Sequence, residues 1–487
     1  MMARSELGHS AARGGGITLV GQAAKFVFLL VSLILLSRLL DPAAFGLIAM
    51  TTVFLAAGEL IRDFGLTAAA IQTPRLSVSQ KNNLFWINCL FGLLVMLMLW
   101  LVAKPVAVLY SEARVEGLIW WLAPVILLNA VQAQFQIELT RNLRFGVLVS
   151  TDVTAQAVGL VAAVLSALAG MSYWALVIQQ LSIAVFLLAS RLIFAGWLPR
   201  LPDKTTSIRH FFRYGLHLTL AQGLGLASSN ADTIVIGARF GAVDLGIYSR
   251  AFQLLMAPIN QVLVPLTNVA LSVLSRLTNE ATRFYAYLMG AQLALSYTLG
   301  FVFGVSAAAA VPAIGLLLGP DWLEAAPIFQ VLALGGLFQV LSVIGYWVFL
   351  SRGLTKDLLQ YNLVTKSLTI CAVLLGSLWG PIGVAWGYTL ALTVAWPICL
   401  LWLRKVANLP ARSFLFAGVR AIGASLGAFT LGFIALVNVR IVEGEFFQLA
   451  LVLVCSIAGF STLLVFRSVR RDLRSVLATV RMLRRPT

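Results

Sequence analysis

Seven side chains with chemistry to offer stand inside stretches otherwise fit for hydrocarbon: Lys25, Arg62, Asp63, Asp232, Arg250, Gln253 and Gln261. An ionisable group in such a stretch marks a functional site by default, because its burial in lipid is costly unless a partner, a cavity or a ligand compensates. The segment from Asn230 to Asn268 carries the densest set, two apolar runs joined by a Gly-rich turn at Gly241. Wound as a helix, Arg250, Gln253, Ala257, Gln261 and Asn268 fall at offsets 0, 3, 7, 11 and 18, a single polar face ending in a cation. Gln222, Ser229 and Asp232 share a face of the preceding run. Asp232 is a carboxylate whose protonation can answer to desolvation and to a neighbouring cation, which suits a coupling or gating role. Plainer readings stand beside these. Arg250 and Lys25 can snorkel to headgroups, Arg62 can simply pair with Glu59, and Asp232 can pair with Arg239 across the turn.

The elements that must position these residues are membrane-spanning helices. The 487 residues are 60% hydrophobic and 11% charged, too little polar surface for a soluble domain. At about 20 apolar residues per crossing the chain holds about fourteen spans. In the first, Gln22 and Lys25 are neighbours on one face, and Lys25 lies roughly 13 Å into the span at about 1.5 Å per residue. In the second, Glu59 and Arg62 can pair and Asp63 is adjacent. Lys104, Glu138, Asp152 and Arg191 fall near span ends and read as scaffold, and Lys366 as a lysine snorkelling inward. Arg420 is the one intramembrane charge of the last two spans.

The net charge of +17 is distributed by side rather than in a nucleic-acid patch. Arg and Lys crowd alternate loops, such as Arg141 and Arg144, Lys204 and Arg209, Arg404 and Lys405, whereas the opposite loops hold Asp41, Glu112, Asp321 and Glu324. That alternation predicts a multi-pass membrane protein with both termini cytoplasmic. Cys89, Cys371, Cys399 and Cys455 lie in apolar runs and the three histidines have no ligand spacing, so no metal and no cofactor is expected. The first apolar run is too long for a signal-peptide core and reads as a retained helix.

The Pro-containing loop L-P-R-L-P-D-K-T-T-S-I-R-H divides the chain. The expected organisation is an N-lobe of six helices over 1–197, a cytoplasmic loop over 198–210, a C-lobe of six helices over 211–405, two further helices over 406–468, and a basic amphipathic tail over 469–487 suited to an anionic leaflet. Setting Gly46 on Gly246 aligns L-L-D-P-A-A-F-G-L-I-A-M with R-F-G-A-V-D-L-G-I-Y-S-R. Spans one and two then correspond to spans seven and eight as a parallel repeat, the kind that transporters use to place a site between halves.

Several stretches carry a family likeness: S-R-L-L-D-P-A-A-F-G-L-I-A-M, D-F-G-L-T-A-A-A-I-Q, Y-W-A-L-V, A-D-T-I-V-I-G, L-G-I-Y-S-R-A-F-Q-L and G-P-I-G-V-A-W-G-Y. In order and over nearly the whole chain, they resemble the polysaccharide exporter branch of the multidrug/oligosaccharidyl-lipid/polysaccharide superfamily, and in detail its Wzx-type flippases. The resemblance implies an all-α integral membrane protein of about fourteen transmembrane helices, two pseudo-symmetric six-helix lobes around a central cavity plus two C-terminal helices. It implies export of an undecaprenyl-pyrophosphate-linked oligosaccharide by alternating access, for lipopolysaccharide O-antigen or exopolysaccharide. Membrane lipids, a polysaccharide polymerase and a chain-length regulator are the further partners it suggests, and no nucleic acid. By that likeness Lys25, Arg62 and Arg250 face the cavity, with Gln253 and Gln261 beside Arg250; Lys25 stands where relatives commonly have arginine. Asp63 and Asp232 are the coupling candidates, and together with Asp152 they keep a rival alive, a cation-coupled multidrug exporter of the same superfamily. A membrane glycan polymerase or ligase fits less well, since its large outer loop is missing, and nothing points to an enzyme.

Overall fold

The computed structural model describes residues 2–67, 70, 73, 77–203, 219, 223, 225–226, 228–438, 444–462 and 466–472. The described chain is all-α and multi-pass. Its helices are α1 (Met2–Leu39), α2 (Pro42–Asp63), α3 (Val78–Tyr110), α4 (Arg114–Arg141), α5 (Phe145–Leu168), α6 (Trp174–Ala195), α7 (Ala231–Leu274), α8 (Ala281–Ala308), α9 (Ala310–Leu318), α10 (Ala325–Ser351), α11 (Thr355–Gly376), α12 (Gly380–Ala407), α13 (Ala411–Asn438) and α14 (Glu445–Thr462). Twelve stretches among the described residues are long and apolar enough to cross a membrane. One of these holds both α11 and α12, and another is α7, which is broken at Gly241. Side chains facing outward are apolar, Leu101, Leu168 and Ile193 among them, as a hydrocarbon solvent requires.

Local chemistry sets the helix ends. Asp41 caps α2, its carboxylate accepting from the Ala44 amide at 3.1 Å with Pro42 in the first turn, and Phe64 and Gly65 at positive φ stop it. Ser77 and Gln80 form a reciprocal capping box at the start of α3. Gly241, with φ 84° and ψ −170°, breaks α7 where the sequence places its turn. Pro258 and Pro265 lie farther along the same helix.

The chain divides into two compact units, residues 1–246 and 247–487. Within the first, α3 packs on α4, α5 on α6, α1 on α5 and α4 on α6. Gly46 and Gly246 meet there backbone to backbone: a Cβ on Gly46 would lie 1.7 Å from the Ala242 carbonyl oxygen, and one on Gly246 would lie 1.9 Å from the Pro42 carbonyl oxygen. Each glycine thus abuts the residue four before the other, the reciprocity that a two-fold relation between the repeated segments produces. Beyond the end of α6 the Asn83 carboxamide holds Asp203 through two 2.7 Å hydrogen bonds, and the Asn82 side-chain Oδ1 accepts from the Arg200 amide at 3.1 Å. The expected inter-lobe loop 198–210 is therefore anchored over its first residues, and 204–210 lie outside the described residues.

Within the second unit, α10 packs on α12, α11 on α12, α8 on α10 and on α13, and α13 on α14. Of the expected tail, residues 469–472 are described. Val469 is buried against Leu293, Tyr297, Ala417 and Ala421. Arg420, the charge expected alone in span thirteen, forms a bidentate pair with Asp472 at 2.8 and 2.9 Å, and the Tyr297 hydroxyl donates to the same carboxylate at 3.1 Å.

Candidate functional site

Lys25 and Asp152 lie near the beginnings of the spans in α1 and α5, while Arg62, Gln136 and Arg191 lie near the ends of α2, α4 and α6. Because successive spans run in opposite directions, these positions share one end of the first unit, and the side chains join. Lys25 Nζ pairs with Asp152 Oδ2. Arg191 Nη2 donates to Asp152 Oδ1 at 2.6 Å, and its Nη1 donates to Gln132 Oε1 at 2.8 Å and Gln136 Oε1 at 3.0 Å. Gln132 Nε2 donates to Asn129 Oδ1 at 2.9 Å, and Asn129 Nδ2 to Glu59 Oε1 at 2.6 Å. Arg62 Nε donates to Glu59 Oε2 at 3.1 Å, its Nη1 lies 3.9 Å from Asp63, and Asp63 accepts from the Thr67 hydroxyl.

This chain of contacts holds three cations and three carboxylates, so its formal charge sums to zero. Arg191 is 4% exposed. A buried cation of that kind is sustained only where carboxylate and amide oxygens replace its water. Arg62, kept charged and oriented by Glu59, presents a guanidinium of the kind that binds phosphate through two parallel hydrogen bonds.

Two of the sequence candidates, Lys25 and Arg62, are therefore joined, with Asp63 at the Arg62 end. Asp232 sits elsewhere in the first unit, 4% exposed in the first turn of α7, and its Oδ1 accepts from the Thr233 amide at 2.8 Å. Gln222, placed on its face by periodicity, lies outside the described residues. In the second unit Arg250 is 7% exposed and its Nη1 donates to Gln253 Oε1 at 2.6 Å, the spacing read from the sequence. Gln261 is half-buried farther along α7. Asp152 and Arg191, read as scaffold, are at the centre of the network. Asn129, Gln132 and Gln136 are not among the sequence candidates, although their spacing of three and four residues makes a polar stripe on α4.

Comparison with known proteins adds four likenesses. The family model described as polysaccharide biosynthesis protein matches residues 35–327. The teichuronic acid biosynthesis protein TuaB of Bacillus subtilis is 27% identical over 345 residues, 68% of this chain and 69% of that one. The lipopolysaccharide biosynthesis protein WzxC of Escherichia coli is 23% identical over 373 residues, 74% of each. Among solved structures, the lipid II flippase MurJ in an inward closed conformation superposes with a TM-score of 0.72 at 13% identity, covering 93% of this chain and 98% of that one. The fold is shared with that flippase.

Proposed function

Given that this chain belongs to the polysaccharide biosynthesis protein family, we propose that it moves an undecaprenyl-pyrophosphate-linked oligosaccharide across the bacterial inner membrane by alternating access, for O-antigen or exopolysaccharide assembly. The observation that carries this reading is the polar chain from Lys25 to Asp63 inside helices that otherwise face lipid. A carrier lipid keeps its tail in hydrocarbon without help, but its diphosphate and sugars cannot cross unaided, because each charge taken out of water costs several kcal/mol unless it is paired. Arg62 and Lys25 supply that pairing by exchanging carboxylate for phosphate, and Arg250 with Gln253 is a further candidate phosphate-binding pair within its own unit. Asp63 and Asp232 take the coupling role. The protein acts as a transporter and not as an enzyme, and a polymerase and chain-length regulator receive the glycan on the far side.

Reconstitution tests this. Vesicles containing the protein should deliver a labelled undecaprenyl-pyrophosphate glycan to an external glycosidase faster than protein-free vesicles. Arg62→Lys and Arg250→Lys keep the charge but lose the bidentate fork. Charged hydrogen bonds are worth about 1.5–3 kcal/mol each, so each variant should slow delivery by about tenfold or more while remaining monodisperse. Wild-type delivery equal to protein-free vesicles would refute the function, and unchanged rates in both variants would remove these arginines from the mechanism.

The orientation that fits the alternating basic loops has both termini in the cytoplasm. In a cysteine-free background, Lys204→Cys should react with an impermeant maleimide only after the membrane is opened. Labelling of intact cells would reverse the topology.

A further inference from the structure

A cavity of about 560 Å³ opens within the second unit between α7, α10, α11 and α12. Its size falls in the range of about 300–1,000 Å³ typical of ligand sites. Lys366 is the one charged residue among those lining it. It lies at the middle of α11, Thr355–Gly376, about 15 Å from either end at about 1.5 Å per residue, which is farther than its four-carbon stem reaches. No acidic residue lines the cavity, and none of the ion pairs among the described residues includes Lys366. An unpaired ammonium at that depth needs either water or an anion.

The carboxamides around it are likewise without protein oxygen or nitrogen partners among the described residues. Gln339 Oε1 is buried and has no hydrogen-bond partner among the described residues, and its Nε2 has only the Met256 sulfur at 3.8 Å. Among the described residues the carboxamides of Asn260, Asn268 and Asn362, which also line the cavity, make no side-chain hydrogen bond. The nearby hydroxyls of Ser342, Thr365 and Thr369, by contrast, are satisfied on helix carbonyls. Four carboxamides, each both donor and acceptor, match a ligand rich in hydroxyls. Tyr346 adds an aromatic ring at the rim. A lipid tail would leave every one of these groups unpaired, and a cation would meet Lys366.

We propose that this cavity receives the glycan end of the translocated lipid and that Lys366 selects a glycan bearing an acidic group, such as a uronate carboxylate; the assignment rests on the transport function proposed above. The test is a titration of the purified full-length protein, by calorimetry or saturation-transfer NMR, with two free disaccharides that differ only in bearing a glucose or a glucuronate residue. Inorganic pyrophosphate serves as competitor for the carrier's own charge. The uronate should bind about tenfold tighter than its neutral partner at low salt, as gain of one charged hydrogen bond implies. Lys366→Gln should abolish the preference between the two sugars, and Lys366→Arg should keep it. Equal binding of the two sugars, binding of neither, or a preference that survives Lys366→Gln would overturn the proposal. Displacement of the uronate by pyrophosphate would overturn it too, assigning Lys366 to the carrier's phosphates. The probes lack the lipid, so this titration reads the cavity alone, whereas failure of the transport function would appear in the vesicle assay.

Discussion

Asp152→Asn is expected to be among the most damaging single substitutions in the first unit. One Asp152 oxygen pairs with Lys25 and the other accepts from Arg191 at 2.6 Å. The amide keeps the shape and removes the charge, leaving two cations facing one another with only carboxamides between them. Breaking a buried pair costs about 3–5 kcal/mol because the surviving charge stays desolvated. Lys25→Gln should be milder, since Asp152 keeps Arg191 and Arg191 keeps Gln132 and Gln136. Adding Lys25→Gln to Asp152→Asn should recover part of the loss, with a coupling of about 0.5–3 kcal/mol. Melting of the detergent-purified variants checks the order. A wild-type midpoint for Asp152→Asn would mean that the network contributes nothing to holding α1, α5 and α6 together.

Gly46→Ala and Gly246→Ala should each disrupt the first unit. The added methyl carbons would lie 1.7 and 1.9 Å from main-chain oxygens, and neither oxygen belongs to a side chain that can swing aside. The helices must separate, and overpacking of this kind costs typically about 1–3 kcal/mol, more where backbone resists. Gly423 on α13 provides the control, since a Cβ there meets nothing within 4 Å and alanine raises helix propensity by up to about 1 kcal/mol. Yield of monodisperse protein should collapse for the two crossing glycines and hold for Gly423→Ala. Equal yields would show that the crossing tolerates a wider spacing.

How much was legible in the sequence follows from which contacts are local. The break at Gly241, the Arg62–Glu59 pair and the Arg250–Gln253 bond all lie within one helix or turn, where periodicity reports neighbours directly. The Gly46–Gly246 correspondence was legible because two copies of one pattern could be laid over each other. Lys25–Asp152 and Arg191–Gln132 join residues far apart in sequence. Periodicity gives the face on which Asp152 lies, but not the helix that packs against that face, so a solitary charge looked like scaffold. Arg420 misled for the same reason, because its partner Asp472 lies past the last span. The sequence around Lys366 shows only its own helix, whereas the cavity beside it takes residues from four helices.

Pro258 and Pro265 give α7 a mechanical property that its apolar sequence hides. Neither ring nitrogen carries a proton, so the carbonyls of Leu254 and Gln261, four residues before each, have no helical donor to lose when the axis bends. The two soft joints stand between Arg250, buried at one end of this stretch, and Asn268, at the cavity wall on the other. Bending there has one fewer main-chain bond to break at each joint, so the segment bearing the guanidinium can tilt against the segment bearing the carboxamides with less resistance than an unbroken helix would offer. The second unit therefore contains a compliant strut, and a ligand that gripped both of its ends would do work against a spring already weakened at two points.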